Sequence, residues 1–368
     1  MAKRNARTTT LDAIPDQGNL VVGIDLGDRS SQVCVLDGTK VVGGFQMPMA
    51  REGICGWFGV APLKIALEAG PQSQWVEREL KKLGHRVIVG NPRRTALISA
   101  SRRKSDREDA EKLARLLGSD EALLYAIEHR DERAQNDLSV IRARDLVVKL
   151  RSQSIAHMRA VVKTMGYRLP SCDADSFVSK VQGAIPPELL PALGGMVAIV
   201  GTLSEQIARY DKQIEELVRT SYPQAAALMR ISGVGALTAL CFVLVLGRRE
   251  RFTKSRSAGA YLGLAPARSQ SGDHDPQLGI SREGNALARR LLVQAAHYIL
   301  GPFGPPCDLR SFGERMIERA GPKAKAIKKR ATVAVARKLA VMMHRLWTTG
   351  EAYDPHYSRQ RTRQSTAT

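Results

Sequence analysis

The chain is 368 residues long and carries 56 Lys and Arg against 36 Asp and Glu, a formal net charge of +20. That balance points to nucleic acid or an anionic surface as partner, and 43% hydrophobic residues supply enough apolar material for cores in two or three domains, which excludes wholesale disorder. No run approaches the roughly 18 uninterrupted apolar residues of a membrane helix, and the opening MAKRNARTTTLDAIPDQ lacks an apolar signal-peptide core, so a soluble, cytoplasmic protein without a membrane partner is expected. The five cysteines, Cys34, Cys55, Cys172, Cys241 and Cys307, stand far apart, with neither CxxC nor zinc-finger spacing, and read as small buried apolar residues. Aromatic residues make up 5%, which favours phosphate contacts by Arg and Lys over base stacking as the main binding device.

In chain order, residues 1–18 form a flexible basic lead. NLVVGIDLGDRSSQVCVLDGTKVVGGFQM then gives three Val- and Ile-rich strands, the second and third joined through Asp37-Gly38, an antiparallel meander. A helix follows around Trp57. LKIALEAG is a buried fourth strand ending at Glu68, SQWVERELKKLG an amphipathic helix closed by Gly84, and HRVIVGNP a fifth strand stopped by Pro92. The next helix, DREDAEKLARLL, has Ser105 as N-cap and acidic residues in its first turn. From about Asp131 long helices take over: Ile141, Val148, Ile155 and Val162 recur every seventh residue, and Met196, Val200, Leu203, Ile207, Tyr210, Ile214 and Leu217 alternate spacings of four and three. These coiled-coil seams, reversed through GYRLPSCDADS and Pro186-Pro187, suit either an intramolecular hairpin or a contact with another chain. From Pro223 a third, helical region runs through two helices meeting at Gly233-Val234-Gly235, a Gly/Ser-rich stretch, the helix NALARRLLVQAAHYIL with His297 in its core face, and a last helix around Lys325–Trp347.

Chemistry concentrates on a few acidic residues. Asp25 sits in an otherwise apolar first strand, where an unpaired charge is costly to bury. Glu68 ends the fourth strand, and Asp106 and Asp109, three apart, share a helix face. If the first and fourth strands are neighbours, these carboxylates meet, and their repulsion is relieved by hard divalent ions that take oxygen ligands. Two such ions about 4 Å apart promote phosphodiester chemistry. The Gly233–Gly235 turn resembles a helix-hairpin-helix element that offers backbone amides to a phosphate, with Arg248, Arg249, Arg251 and Lys254 beside it; tight helix packing is the equal alternative. Lys325, Lys328, Lys329 and Arg330 belong to a run without acidic residues that extends a DNA or RNA path.

VVGIDLG, ALEAG, VIVGNP and KSDREDAEKLARLL together resemble the RuvC-like, RNase H-fold DEDD domain of a bacterial insertion-sequence transposase family whose relatives include Piv-type DNA invertases. ISGVGALTAL, RFTKSRSAGAYLGLAPARSQSGD and GISREGNALARRLLVQAA resemble that family's C-terminal domain, in the same order. The resemblance runs from Val21 to about Trp347 and is weakest through the long helices. It implies α/β plus all-α architecture: an RNase H-like domain over 19–128, a coiled-coil domain over 129–222, a mainly helical transposase domain over 223–350 and a flexible tail over 351–368. Carried over by position, it makes Asp25, Glu68, Asp106 and Asp109 the catalytic, Mg²⁺-binding residues of a two-metal site, and Ser271, in GLAPARSQSG, the nucleophile that forms a phosphoserine link to DNA. It further implies donor and target DNA as substrates, a non-coding bridge RNA that pairs with both, and a dimer or tetramer assembled through the coiled coil, in which carboxylates and serine form composite sites. The chain departs from the family pattern at Asp273, His274 and Asp275, where relatives are often basic, and at Ala69-Gly70-Pro71 after Glu68.

The expected function is therefore a DNA recombinase that excises and inserts its own mobile element. Within enzymes the alternative is a Piv-like invertase, or a junction nuclease that uses the carboxylates and water alone. GIDLGDRSSQ also resembles the first phosphate loop of actin-like ATPases, against which stands the missing second Asp-x-Gly loop. A third class, a non-catalytic nucleic-acid binder, leaves the acidic set and Ser271 unexplained.

Overall fold

Val- and Ile-rich runs pair into a meander because each has faces to bury and a turn short enough to return the next strand. The computed structural model describes residues 20–58, 62–98, 105–271, 276, 278–319 and 325–357, and the chain divides into two units, Met1–Arg130 and Asp131–Thr368. The basic lead 1–18 lies outside the described residues.

The first unit holds β1 (Leu20–Asp25), β2 (Ser30–Asp37), β3 (Lys40–Pro48), α1 (Arg51–Trp57), β4 (Lys64–Glu68), α2 (Ser73–Lys82), β5 (Arg86–Gly90), α3 (Pro92–Ile98) and α4 (Asp106–Ser119). Its sheet runs β3-β2-β1-β4-β5, antiparallel through the first three strands and parallel from β1 to β5. Helix α3 was not anticipated: Pro92 ends β5 but also starts a helix, since a missing N–H costs nothing in the first turn, and Asn91 Oδ1 accepts the Arg93 N–H at 3.1 Å. Ser105 does cap α4, accepting the Glu108 N–H at 3.3 Å.

The two-residue period of the strands sorts side chains onto two faces. Leu20, Val22, Ile24, Ile65 and Leu67 join Ile54 of α1 and Val76 and Leu80 of α2. Val21, Ala66 and Ile88 turn the other way, onto Leu113 and Leu117 of α4. Helix α4 crosses β1 so closely that a Cβ on Gly23 would stand 2.0 Å from the Ala110 carbonyl oxygen and 2.5 Å from the Ala114 nitrogen.

The second unit is helical: α5 (Glu132–Thr164), α6 (Phe177–Val181), α7 (Leu190–Ser221), α8 (Pro223–Leu228), α9 (Ala236–Leu246), α10 (Ser255–Tyr261), α11 (Ala286–Leu300), α12 (Asp308–Arg319) and α13 (Lys325–Thr349). Helices α5 and α7 pair antiparallel within the chain. Leu138 and Ile141 at the start of α5 share a core with Ile214 and Val218 at the end of α7, and Met158 and Val162 at the far end meet Leu193 and Val200. Arg144 bridges to Asp211 at 2.5 Å, and Arg151, buried in the seam, reaches Asp175 at 2.6 Å and Ser204 at 3.1 Å. Helix α9 is the centre of the unit, with every residue from Ala239 to Leu246 buried. The stretch Pro187–Ser221 is long enough, and over one window of mean hydropathy 1.3 apolar enough, to cross a membrane by length and composition, although Gly, Ser and Thr punctuate it and leave no long uninterrupted apolar run.

Among the described cysteines Cys34, Cys241 and Cys307 are buried, Cys172 is half-buried, and all four are free thiols. His297 departs from expectation: it lies on the exposed side of α11, and Ala295, Ala296 and Ile299 take the core positions around it.

Candidate active site and nucleic-acid surface

Register places two of the four carboxylates. Ile24 pairs with Leu67 in the parallel β1–β4 ladder, so Asp25 and Glu68 close the two strands side by side, with backbones about 4.8 Å apart. Asp25 continues the Val21–Gly23 side of β1 and Glu68 the Ala66 side of β4, so both belong to the face that α4 covers. Helix α4 runs antiparallel to β1: Leu117 packs near Val21, and Ala110 and Ala114 lie against Gly23. Its first turn, with Asp106 exposed and Asp109 half-buried, therefore approaches the strand ends that carry Asp25 and Glu68.

The donors are all carboxylate oxygens, the set a hard divalent cation prefers, and their backbone placement fits such an ion. The side chains themselves are not gathered: among the described residues no three His, Cys, Asp or Glu form a ligand group. Glu68 Oε1 accepts a hydrogen bond from buried Thr95 at 3.2 Å, and Asp109 is paired with Lys112 at 2.9 Å. Binding one cation with all four carboxylates requires these side chains, or the first turn of α4, to move. Thr95 is a neighbour that sequence reading missed; the Asn91-Pro92 helix start is the signal that puts it one turn into α3. The turn after Glu68 is also braced. Ser73 Oγ accepts the Gly70 N–H at 3.0 Å and lies 2.8 Å from His129 Nε2. Burial lowers the His129 pKa, against the nearby Glu77 carboxylate.

Ser271 is exposed, on the connection between α10 and α11; Asp273, His274 and Asp275 lie outside the described residues. The base of this connection is tightly built. Pro266 and Ile280 form an antiparallel bridge, with Ala267 N–H donating to the Gly279 carbonyl at 2.8 Å and Ser281 N–H to Ala265 at 2.9 Å. Below it two glycines with positive φ interlock: a Cβ on Gly263 would stand 2.0 Å from the Glu283 oxygen, and one on Gly284 2.0 Å from the Tyr261 oxygen. Arg289 Nη1 ties the two sides together, donating to the carbonyls of Leu262 and Glu283 at 3.0 Å each. Burial, and then the charge of Arg282, lower its pKa. The separated motifs GLAP and REGNA are thus two halves of one clamp, a link that their spacing alone did not disclose.

The basic residues fall into separate groups. The Gly233–Gly235 turn lines an open groove of about 540 Å³ with Arg230, Thr238 and Tyr298. Arg248, Arg249 and Lys254 are not beside that turn but at the other end of α9, which at 1.5 Å per residue puts about 16 Å between them. There Arg249 pairs with Glu250 at 2.7 Å, and Arg251 stacks on Tyr261, 4.7 Å from the ring centre. His344 of α13 holds the segment, its Nε2 3.1 Å from the Arg249 carbonyl and its Nδ1 3.0 Å from Ser255 Oγ. Lys325 opens α13 and Lys328, Lys329 and Arg330 are exposed in its first turns, roughly 30 Å along the helix from the Trp347 carbonyl that Arg249 touches.

Comparison with known proteins bears on both units. Residues 22–166 match a transposase family profile, and residues 225–306 match the profile described as transposase IS116/IS110/IS902 family. The chain is 27% identical over 352 residues to the transposase for insertion sequence element IS1111A of Coxiella burnetii, covering 90% of this chain and 91% of that protein. It is 27% identical over 240 residues to the transposase for IS1328 of Yersinia enterocolitica, across 64% of this chain and 70% of the relative. The pilin gene-inverting protein of Moraxella lacunata is 28% identical over 145 residues, 38% of this chain and 43% of that one.

Proposed function

Because the chain belongs to the IS110/IS116 transposase family and is a DNA transposase, we propose that it excises and inserts a mobile element by strand exchange through a phosphoserine–DNA intermediate. The observation that carries this reading is the placement of Asp25 and Glu68 on one face of adjacent strand ends, approached by the α4 turn that holds Asp106 and Asp109. We read the first unit as an RNase H-like, RuvC-like domain, the helices of 129–222 as a coiled-coil domain, and 223–350 as the helical transposase domain that carries the nucleophile.

In this reading Ser271 Oγ bonds to the scissile phosphorus while the bond from phosphorus to one sugar oxygen breaks. That oxygen leaves with a proton as a strand-end hydroxyl, and the serine proton passes to a general base. Attack by the strand-end hydroxyl of the second duplex reverses these steps and frees the serine, so the number of phosphodiester bonds is conserved. Mg²⁺ held as an ion pair by Asp25, Glu68, Asp106 and Asp109 would neutralise phosphate charge and promote ionisation of the attacking hydroxyl. The exposed position of Ser271 and the clamp beneath it support this role: the loop presents the hydroxyl from a fixed base.

Donor and target DNA run over separate phosphate contacts at Gly233 and Gly235, at Arg248, Arg249 and Lys254, and at Lys325, Lys328, Lys329 and Arg330. The roughly 30 Å along α13 is close to one turn of duplex DNA. Site choice is assigned to base pairing with a bridge RNA, with the protein reading shape and charge. A homo-oligomer is supported by apolar side chains left uncovered on the helical hairpin, Leu146 at 57% exposure and Ile199 at 54%. The match to the pilin gene-inverting protein favours one second reading, site-specific inversion by the same strand exchange.

The test is a denaturing-gel search for a covalent protein–DNA adduct in cells that carry the gene with its native flanking DNA. The wild type is expected to give an adduct that both Ser271→Ala and Asp106→Ala abolish. Cleavage without an adduct, or an adduct that survives Ser271→Ala, replaces the serine mechanism with hydrolysis at the carboxylates.

A further inference from the structure

Phe303 is the most exposed large apolar side chain among the described residues, at 83%. Its support is rigid. Arg310 Nη1 donates to the carbonyls of Ile299, Gly301 and Gly304 at 3.2, 2.8 and 2.7 Å, and its Nε is held by Glu314 at 2.8 Å. One guanidinium thus satisfies acceptors that the end of α11 leaves open and fixes the loop that follows. A Cβ on Gly304 would stand 2.3 Å from the Ile299 oxygen and 2.6 Å from the Tyr298 oxygen, so the loop is folded hard against the last turn of α11. Pro302, Pro305 and Pro306 stiffen the remainder. A phenylalanine held in water by this much preorganisation has the form of a wedge, because a mere connector gains nothing from presenting the ring.

Its surroundings indicate what the wedge meets. Tyr298, 47% exposed, lies on the preceding turn and lines the groove at Gly233–Gly235. Arg230 is exposed in the same groove, and among the described residues that line it none is acidic. The Tyr298 ring beside an exposed cation suits a nucleotide, the cation taking the phosphate and the ring a base, whatever its identity, and Phe303 offers a second ring on the loop that follows. Exchange of strands between duplexes also exposes unpaired bases at the exchange point, and apolar wedges at such places stabilise unstacked steps. We propose that Phe303 stacks on an unpaired base of a DNA strand whose backbone passes Arg230 in this groove. The inference rests on the reading of the chain as a DNA recombinase and adds to it a device for holding melted DNA.

The full chain is tested by fluorescence anisotropy against two labelled probes, a duplex of arbitrary sequence and the same duplex with one unpaired base. The wild type is expected to favour the second probe by about tenfold. Phe303→Ala should bind the intact duplex as the wild type does and lose the preference, and Phe303→Trp should keep it. Arg230→Ala should weaken binding to both probes. A wild type without preference, or a Phe303→Ala variant that retains it, overturns the wedge and leaves DNA binding standing. A Phe303→Ala variant with unchanged preference but a smaller mass in light scattering reassigns the ring to a contact between copies. Failure of the wild type to bind either probe removes the DNA reading itself.

Discussion

The carboxylates of the first unit and Ser271 of the second are positioned by different kinds of structure. Asp25 and Glu68 stand at neighbouring strand ends, where a ladder of backbone hydrogen bonds sets their register and a one-residue slip would turn every side chain to the wrong face. Ser271 is exposed on the connection between α10 and α11, whose base is held by a few contacts, between two glycines and from one arginine. A sheet distributes the task of placement over many weak bonds; a clamp concentrates it in a handful. The first is robust to substitution near the site and vulnerable where the layers touch, and the second is vulnerable throughout its base.

The point where the layers touch is Gly23, and the largest effect is expected there. Gly23→Val would drive a side chain into backbone atoms of Ala110 and Ala114, which cannot rotate away. Helix α4 must lift from β1, at a cost of about 3 kcal/mol or more by the usual scale of overpacking, and Asp106 and Asp109 move with it. Thermal unfolding of the first unit should fall, hydrogen exchange across 106–119 should rise, and adduct formation should be lost. If exchange in α4 were unchanged and adduct formation persisted, the close crossing would not be what aims the helix at the strand ends.

The same contrast governs what could be read from sequence. The strand pattern and the Asp37-Gly38 turn were legible because period two and turn chemistry are local, and Ser105 was recognisable as a cap because capping spans three residues. Once the strands were in order, the adjacency of Asp25 and Glu68 followed. The clamp beneath Ser271 was not legible: Gly263 and Gly284 are far apart in the chain, and nothing local in GLAP or REGNA says that the two backbones touch. Heptads could not tell a hairpin from a dimer, because an α5–α7 seam within one chain and a seam between chains demand the same spacing. Gly233 and Arg248 show the opposite case: they are near along the chain but lie at opposite ends of α9, a helix of about 16 Å. The apolar residues around His297 suggest a core position, but a single rotation step on the helix puts it outside.

Next in size is the clamp. Gly284→Ala places a methyl group 2.0 Å from the Tyr261 oxygen at a residue with φ of 79°, combining left-handed strain of about 1–2 kcal/mol with a backbone clash. The loop base should open while the helices stay folded, so adduct formation is expected to drop about a hundredfold with little change in circular dichroism. Arg289→Lys is a milder version: it keeps the charge but lacks the planar fork that reaches both carbonyls, and a loss of about tenfold is expected. DNA binding by mobility shift should hardly change in either variant. A parallel loss of binding and adduct would mean that the clamp holds a DNA surface and not the nucleophile.

The smallest effect is a pH dependence, and it separates the two units again. Burial lowers the His344 pKa, partly opposed by its hydrogen bond to the Arg249 carbonyl. With the folded value below the unfolded value of about 6.5, the unfolded state binds the proton more readily. The contribution of neutral His344 is complete above about pH 6.5 and is lost as the pH falls from there towards the folded pKa. His129 in the first unit is shifted the same way, so global unfolding would blend the two. Hydrogen exchange followed amide by amide keeps them apart: protection along α13 should fall on acidification in the wild type, and His344→Phe should remove that slope while the first unit keeps its own. Protonating His344 keeps the Nε2–H bond to the Arg249 carbonyl and turns Nδ1 into a donor towards Ser255 Oγ, so the Arg249 segment stays attached and the affinity of the wild type for duplex DNA should change by no more than about twofold over the same pH range. If the slope in α13 survives His344→Phe, another group drives it, and the histidine only fills space between α13 and the Arg249 segment.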